Sequence, residues 1–219
     1  TGTRHVSAYA LTIEPGTQFG ELHKKGRLPM AKEDDVADTY ARIEALLEAR
    51  GLLHYEVSNY ATPGQEARHN LHYWRGGAYL GLGAGAVGCL ETPGGGARRW
   101  RNEPLPDRYV ARALAAGSPA SAAADTESAR VAAPLDLETE SEQLPPEARV
   151  REALMLGLRT AEGVDGAALE RATGLDLRLG RERVIEERAR RGELEVEGRR
   201  LRIPKRHWLA LDSIVLDLF

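Results

Sequence analysis

Residues 54–61 read HYEVSNYA, a run of strand-forming residues that follows a similar run, HVSAYALTI at residues 5–13, by about one helix length. The run at residues 5–13 alternates, and both runs contain β-branched and aromatic residues, so each run predicts a β-strand. Between them, apolar side chains recur at helical spacing from Glu33 to Arg50, and Gly51 is a natural C-terminal cap. A strand, a helix and a strand in this order predict an α/β fold containing a parallel unit with a right-handed crossover.

The last third of the sequence predicts a small helical domain. Apolar positions at helical spacing indicate helices over residues 146–158, 166–173 and 179–191. The segment LEVEGRRLRIP at residues 194–204 predicts a hairpin with Gly198 at its turn. Three helices followed by a hairpin is the order of a winged-helix domain, and a final amphipathic helix is expected over residues 207–219.

Two segments between these regions have a different composition. Residues 68–90 are dense in glycine, which permits both tight turns and close approach of the backbone to a ligand. A short amphipathic helix is expected over residues 105–114. Ala, Ser, Pro and acidic residues then dominate as far as residue 147, without any aromatic residue, which indicates a linker or a loosely structured insertion. The predicted organisation is an N-terminal region, a linker or insertion and a C-terminal domain, at residues 1–115, 116–146 and 147–219.

The composition excludes several classes of protein. A net charge of −3 at pH 7 does not by itself indicate polyanion binding, and no run of 18 or more apolar residues is present to cross a membrane. The first residues lack the pattern of a secretory signal, so we expect a cytoplasmic protein whose sequence continues upstream. The single cysteine, Cys89, excludes an internal disulfide framework or a cysteine-rich zinc site, and it cannot hold an iron–sulfur cluster, which needs about three or four thiolates.

Four segments, in the order expected for one known family, cover nearly the whole chain and leave only residues 118–144 unmatched. They are HVSAYALTIEPGT at 5–17, YEVSNYATPGQEARHNLHYW at 55–74, YLGLGAGAVG at 79–88 and EALMLGLRTAEGVD at 152–165. These segments resemble the HemW-type members of the radical S-adenosylmethionine (SAM) family, which is related to oxygen-independent coproporphyrinogen oxidase. The second segment ends in HNxxYW, the signature of the HemW subgroup.

The resemblance implies a fold and a set of cofactors. The chain would be the C-terminal part of a partial (β/α)6 radical SAM barrel, followed by the helical, winged-helix-like domain. In this family a CxxxCxxC loop holds a [4Fe–4S] cluster that activates SAM, and this loop is absent from the present sequence. We therefore expect the cluster ligands in a missing N-terminal half of the barrel, and no SAM cleavage by this chain alone. Half a barrel also exposes unpaired strand edges, so that the missing half would be a structural partner.

The HNxxYW motif comprises His69, Asn70, Tyr73 and Trp74. A neutral imidazole can bind haem iron, an indole can stack on a porphyrin, and Asn or Tyr can hydrogen-bond a propionate, so the resemblance implies that this motif handles haem. His69 is the candidate iron ligand, whereas His72 and His54 are alternatives that spacing does not separate. The structural alternative is that the two aromatic residues close the end of the barrel while His69 and Asn70 tie down loop backbone.

The resemblance also implies a SAM-facing wall. Ala10 and Val87 match positions at which the family places backbone and small apolar side chains against SAM, and Gly83 and Gly85 would permit the close approach. Core packing and a tight strand are the alternatives for these positions. Glu56 lies near a strand end, where barrels place functional groups, but the sequence identifies no partner for it.

HemW-type proteins bind haem and pass it to other proteins, so the resemblance implies a haem chaperone whose partners are haem-accepting proteins. Peripheral association with membrane-bound haem proteins and formation of a homodimer are further expectations. The alternative is an oxygen-independent coproporphyrinogen III oxidase of porphyrin biosynthesis, which the HNxxYW signature disfavours. Nucleic-acid binding by the winged helix is not expected, because glutamates are interleaved with the arginines between Arg178 and Arg206, as on a salt-bridged surface.

Overall fold

A computed structural model describes residues 2–116 and 137–219, and it has a mixed α/β architecture. Its strands form three sheets of three strands each, and every strand pair in the described ranges is antiparallel. Most of the range predicted as a linker or insertion lies outside the described residues. Within the two described ranges, no helix is both long and apolar enough to cross a membrane.

The first sheet has the strand order β1-β3-β2, with β1 at His5–Ser7, β2 at Leu53–Glu56 and β3 at Asn59–Ala61. Two helices lie between β1 and β2 in sequence, α1 at Gln18–Lys24 and α2 at Glu33–Glu48. The helix predicted from Glu33 is therefore confirmed. Acidic residues occupy its first turn, at the positive end of the helix dipole.

The run HYEVSNYA is a hairpin and not the single strand that its composition predicts. It turns at Val57 and Ser58, and the N–H of Ser58 donates to the carboxylate of Glu56 at 3.2 Å, which closes the turn. Both β1 and β2 are antiparallel to β3, which lies between them. The two strands of the predicted parallel β-α-β unit therefore do not neighbour each other in the sheet. The outer strands run in the same direction, but they do not pair.

The second sheet contains β4 at Val87–Glu91, β5 at Ala97–Asn102 and β6 at Glu138–Leu144. Strand β6, ETESEQL, lies inside the range predicted as a linker or insertion. The sequence did not predict this strand because it has no alternation of apolar and polar residues. Charge explains its pairing with β5. Arg99 bonds the opposite residue Glu142 at 3.0 Å, and Arg98 forms an ion pair with Glu138. Cross-strand pairs of opposite charge stabilise a sheet by roughly 0.2–1 kcal/mol each.

The C-terminal region follows the predicted order of three helices and a hairpin. Its helices are α5 at Pro146–Gly157, α6 at Gly166–Thr173 and α7 at Glu182–Arg190, and the chain ends with a 3-10 helix at Lys205–Ala210 and α8 at Leu211–Leu216. The third sheet has the order β7-β9-β8, with β7 at Val164–Asp165, β8 at Glu195–Glu197 and β9 at Arg200–Arg202. Gly198 occupies the hairpin turn with a φ of 59°, a left-handed value that favours glycine.

The main hydrophobic core lies in this C-terminal region. Every buried member of the core cluster falls between Val150 and Leu218. Helix α5 contributes Val150 and Leu154 at a spacing of four residues, and Leu158 continues the same apolar stripe one turn further on. The remaining helices of the first half are α3 at Arg68–Trp74 and α4 at Pro106–Ala116, the latter where the amphipathic pattern predicts it.

Backbone hydrogen bonds join the first sheet to the C-terminal region. The N–H of Val57 donates to the carbonyl of Arg159 at 3.0 Å, and the N–H of Ala161 donates to the carbonyl of Tyr55 at 2.9 Å. Arg99 of β5 adds two hydrogen bonds to the carboxylate of Glu152 on α5, at 2.6 and 2.7 Å. Both sheets of the first half are thus held against α5 and the segment that follows it.

Replacing Leu154 by Ala should reduce the free energy of unfolding by about 2–5 kcal/mol, because Leu154 is completely buried at the centre of the core. Chemical denaturation of the full-length protein measures this loss. The control is Met155→Ala, which changes the neighbouring residue, exposed on the other face of α5, and should cost about 0.5 kcal/mol or less. Equal losses for the two variants would contradict the position assigned to the core.

Candidate functional site

The HNxxYW residues lie on the short helix α3, between the first and second sheets in sequence. Asn70, Tyr73 and Trp74 are separated by three and four positions, so they share one face of the helix. The helix ends at Trp74, and the chain turns away at Gly76, whose φ of 67° is left-handed and whose N–H donates to the carbonyl of Tyr73 at 2.9 Å.

This face of α3 lines a cavity of about 350 Å³, whose opposite wall includes Tyr79, Arg99 and Leu156. A second cavity of about 490 Å³ extends toward α5, α6 and β7. The two cavities share five lining residues, among them Trp74, Cys89 and Glu152. We call the two together the interdomain groove. It is the size of a typical small-molecule site, and it lies between the first half of the chain and the C-terminal region.

The three candidate histidines have different surroundings. The ring of His69 is exposed, and it contacts Tyr73 edge-to-face, with 4.8 Å between ring centroids. The Nε2 atom of His72 hydrogen-bonds the carbonyl of Ala78 at 2.7 Å. Its ring also lies directly against Gly77, where an added Cβ would come within 2.3 Å of it. His72 therefore fixes the turn after α3.

His54 is buried in the contact between β2 and the end of the chain. Its ring stacks on Tyr60 at 4.1 Å and meets Trp208 edge-to-face at 4.5 Å, and its Nδ1 atom lies 3.4 Å from a carboxylate oxygen of Glu44. Burial lowers the pKa of His54, with the hydrogen bonds to Val57 and Glu44 opposing that shift. Of the three histidines, the contacts leave the ring of His69 the most open to a ligand.

Glu56 is completely buried, and it lies beside the last residue of α3. Its carboxylate accepts hydrogen bonds from the N–H of Ser58 and from the side-chain amide of Asn59. Burial raises the pKa of the carboxyl group. The bonds from Asn59 and Ser58 oppose this shift, as do the charge of His5 and a hydrogen bond from the indole of Trp74. The position of Asn59 across the turn could have suggested it as a partner of Glu56. No sequence signal indicated that Trp74 lies near Glu56.

The residues predicted to face SAM lie in two places. Ala10 is exposed after β1, and its N–H donates to the hydroxyl of Tyr40 on α2 at 3.1 Å. Gly83 and Gly85 have left-handed φ values of 107° and 69° in the loop before β4, and Val87 is the first residue of that strand. Among the described residues, no hydrogen bond joins Ala10 to this loop.

The loop before β4 is held by the end of β5. The side-chain amide of Asn102 donates to the carbonyls of Gly81 and Gly83, each at 3.0 Å, and the N–H of Gly85 donates to the carbonyl of Glu103 at 2.9 Å. The N–H of Gly83 also donates to the phenolic oxygen of Tyr109 at 3.2 Å. The left-handed glycines thus allow a tight loop, and hydrogen bonds to the end of β5 and to α4 hold its backbone in place.

Comparison with known proteins gives consistent matches. Residues 144–209 match the HemN C-terminal domain family. The heme chaperone HemW of Mycobacterium tuberculosis is 34% identical over 217 residues, which cover 99% of this chain and 48% of the relative. The heme chaperone HemW of Synechocystis is 33% identical over 168 residues, covering 77% of this chain and 36% of the relative. The chain therefore spans about half the length, or less, of these relatives.

A solved structure is also similar. It is that of coproporphyrinogen III oxidase (HemN) from Escherichia coli, described as a radical SAM enzyme. The TM-score is 0.63 at 13% sequence identity, and the match covers 98% of this chain and 48% of that one. At this level of identity the likeness concerns the fold alone.

Stability should depend on pH through Glu56. Because burial raises the pKa of its carboxyl group, the folded protein favours the protonated form. The associated stabilisation is fully present below the pKa of the unfolded carboxyl group and is lost as the pH rises through the raised pKa of the folded state. We expect Glu56→Gln to flatten the dependence of the unfolding free energy on pH in this window, as measured by urea denaturation at a series of pH values.

The control for this measurement is Glu21→Gln, which removes an exposed carboxylate on α1. This variant should keep the pH dependence of the wild type. A Glu56→Gln protein with the same pH dependence as the wild type would show that Glu56 does not cause it.

Proposed function

The chain belongs to the HemW family of radical SAM proteins, and from this membership we propose that the intact protein is a haem chaperone, which binds haem and passes it to haem-accepting proteins. The Mycobacterium tuberculosis relative, whose match covers 99% of this chain, carries the name heme chaperone HemW. The likeness to the solved coproporphyrinogen III oxidase is one of fold at 13% identity, so it does not favour an oxidase over a chaperone.

One observation carries the proposal: the HNxxYW helix presents an open imidazole beside an aromatic cavity. His69 contacts Tyr73, and Tyr73 lines the cavity together with Asn70 and Trp74. An imidazole is a haem-iron ligand, and aromatic rings pack on the faces of a macrocycle. His69 would hold the haem iron, Tyr73 and Trp74 would supply aromatic contacts to the porphyrin, and Asn70 would be a hydrogen-bond donor for a propionate.

We further propose that the part of the protein outside these residues holds the [4Fe–4S] cluster. The single cysteine of this sequence does not supply the thiolates that such a cluster needs. In the intact protein Ala10, Gly83, Gly85 and Val87 would form one wall of the SAM site, and SAM cleavage would depend on the cluster. No chemical step of SAM is assigned to the present chain.

Exposed apolar side chains support this division of the protein. Tyr9, Leu11, Leu80 and Leu82 are between 66% and 86% exposed, and they flank the residues proposed to face SAM. Large apolar side chains exposed together mark a surface that another element covers. We propose that the N-terminal half of the barrel covers this surface and completes the partial (β/α)6 barrel, with the strands of this chain at its end.

For the C-terminal region we propose a winged-helix-like domain at residues 147–219. Its support is the order of α5, β7, α6, α7 and the β8–β9 hairpin, with β7 paired to β9. Acidic partners neutralise the arginines of the hairpin, since Arg202 bonds both Glu195 and Glu197. A haem-related role therefore fits this domain better than nucleic-acid binding. Cytoplasmic location, a homodimer and peripheral association with membrane-bound haem proteins stay predictions.

Replacing His69 by Ala should weaken haem binding. We expect the Kd for hemin to rise at least about tenfold, because the loss of even an outer-shell partner of a metal ligand lowers metal affinity by about 10- to 100-fold. We also expect the Soret band of the complex to shift. Titration of hemin into the full-length protein, followed by absorbance, measures both effects.

Two further variants serve as controls in this titration. His23→Ala removes an exposed histidine on α1 and should bind hemin like the wild type. His72→Ala tests the alternative ligand within the motif. An unchanged Soret band in His69→Ala, with a lost band in His72→Ala, would transfer the ligand role to His72. Failure of the wild type itself to bind hemin would overturn the proposed function.

A further inference from the structure

Strand β2 contains a β-bulge at Tyr55. His54 pairs with Tyr60 and Glu56 pairs with Asn59, so β2 has one more residue than β3 between these two pairs. In a regular strand, the neighbouring side chains of Tyr55 and Glu56 would point to opposite faces of the sheet. A bulge bends the strand and redirects its side chains. Here the side chain of Tyr55 reaches the start of α3, the helix that carries the HNxxYW motif, and the side chain of Glu56 is buried at the turn.

Tyr55 holds the start of α3. Its hydroxyl accepts a hydrogen bond from the N–H of Ala67, the residue just before the helix, at 3.2 Å. Backbone N–H groups at a helix start lack partners within the helix, and no side chain of α3 caps this end. The same hydroxyl hydrogen-bonds Nε2 of His5 on β1 at 2.9 Å. The phenol thus connects the N-terminal end of α3 to the first sheet.

Glu56 holds the bulge and the turn that follows it. Its buried carboxylate receives hydrogen bonds from the backbone N–H of Ser58 and the side-chain amide of Asn59. Asn59 in turn accepts a hydrogen bond from the hydroxyl of Ser7 on β1. This network therefore ties the bulge that carries Tyr55 to β3 and β1 of the first sheet.

The backbone of the bulge, on either side of Glu56, is itself held in place. The carbonyl of Tyr55 and the N–H of Val57 form backbone hydrogen bonds to the segment after α5, on either side of Glu56. A side chain positions another group well when its own backbone is held on both sides. The bulge is held in this way, whereas α3 is only seven residues long and has no buried residue of its own.

We propose that Tyr55 and Glu56 are positioning residues for the haem motif: the hydroxyl of Tyr55 clamps the start of α3, and Glu56 fixes the bulge that presents this hydroxyl. The importance of this clamp for haem rests on the proposed function. The clamp itself is a property of the haem-free protein, so it can be tested separately.

The test is hydrogen exchange at the backbone amides of α3 in the haem-free, full-length protein. Tyr55→Phe removes the acceptor at the start of the helix, and Glu56→Ala removes the acceptor that fixes the bulge carrying Tyr55. Because a single hydrogen bond contributes on the order of 1 kcal/mol, exchange in α3 should accelerate about threefold to tenfold relative to exchange in β5. Glu56→Gln keeps an acceptor oxygen, so α3 should exchange within about twofold of the wild type in this variant.

Two matched variants control for general destabilisation. Tyr60→Phe removes another buried tyrosine hydroxyl of the first sheet, one that has no hydrogen-bond partner among the described residues. Glu103→Ala removes another buried carboxylate, which accepts a hydrogen bond from the N–H of Leu105 and pairs with Arg112, both far from α3 in sequence. Neither change should accelerate exchange in α3 relative to β5.

Titration of hemin into the same proteins gives the second measurement. We expect Tyr55→Phe and Glu56→Ala to raise the Kd for hemin by about the factor seen in α3 exchange, and Glu56→Gln and Tyr60→Phe to leave it near the wild-type value. Unchanged relative exchange of α3 in both Tyr55→Phe and Glu56→Ala would overturn the clamp. A wild type that does not bind hemin would overturn the haem function, and the exchange result would still decide whether the clamp exists.

Discussion

The candidate site depends on one junction, the pair of backbone hydrogen bonds between the β2–β3 turn and the segment after α5. These bonds, from Val57 to Arg159 and from Ala161 to Tyr55, place a small sheet with little core of its own against the well-packed C-terminal region. Glu56 lies between them and is completely buried. A buried carboxylate is costly unless hydrogen bonds surround it, so the turn has little freedom to rearrange.

The interdomain groove follows from the same junction. Helix α3 is tied to the bulge in β2, so Trp74 comes to lie between the two cavities. The floor of the larger cavity stays open because small residues face it from α5 and α6, including Ala153, Gly157 and Ala168. An added Cβ at Gly157 would come within 2.6 Å of Val164, so this glycine allows α5 to pack closely against β7.

The sequence predicted elements whose pattern is local. Helices α2, α5 and α6 and the turn at Gly198 follow from apolar spacing and glycine caps, and each is confirmed. Strand β6 escaped prediction because ion pairs to the arginines of β5 stabilise it. The hairpin within HYEVSNYA escaped because a side-chain carboxylate closes its turn, a role that strand propensity does not describe. Contacts between residues distant in sequence also distinguish His54, His69 and His72 as candidate ligands, which the spacing of the motif could not do.

The charged residues of the groove bear on the affinity that the proposed chaperone would have for haem. The three arginines that line the larger cavity are already paired, Arg75 with Glu162, Arg149 with Glu91 and Arg200 with Asp165. A propionate entering this cavity would replace a carboxylate partner and would not meet a free cation, so the net electrostatic gain would be small. Affinity would then come mainly from the iron ligand and the aromatic wall. For the function proposed above, such an arrangement would suit release of haem to an acceptor, because weaker binding allows faster dissociation.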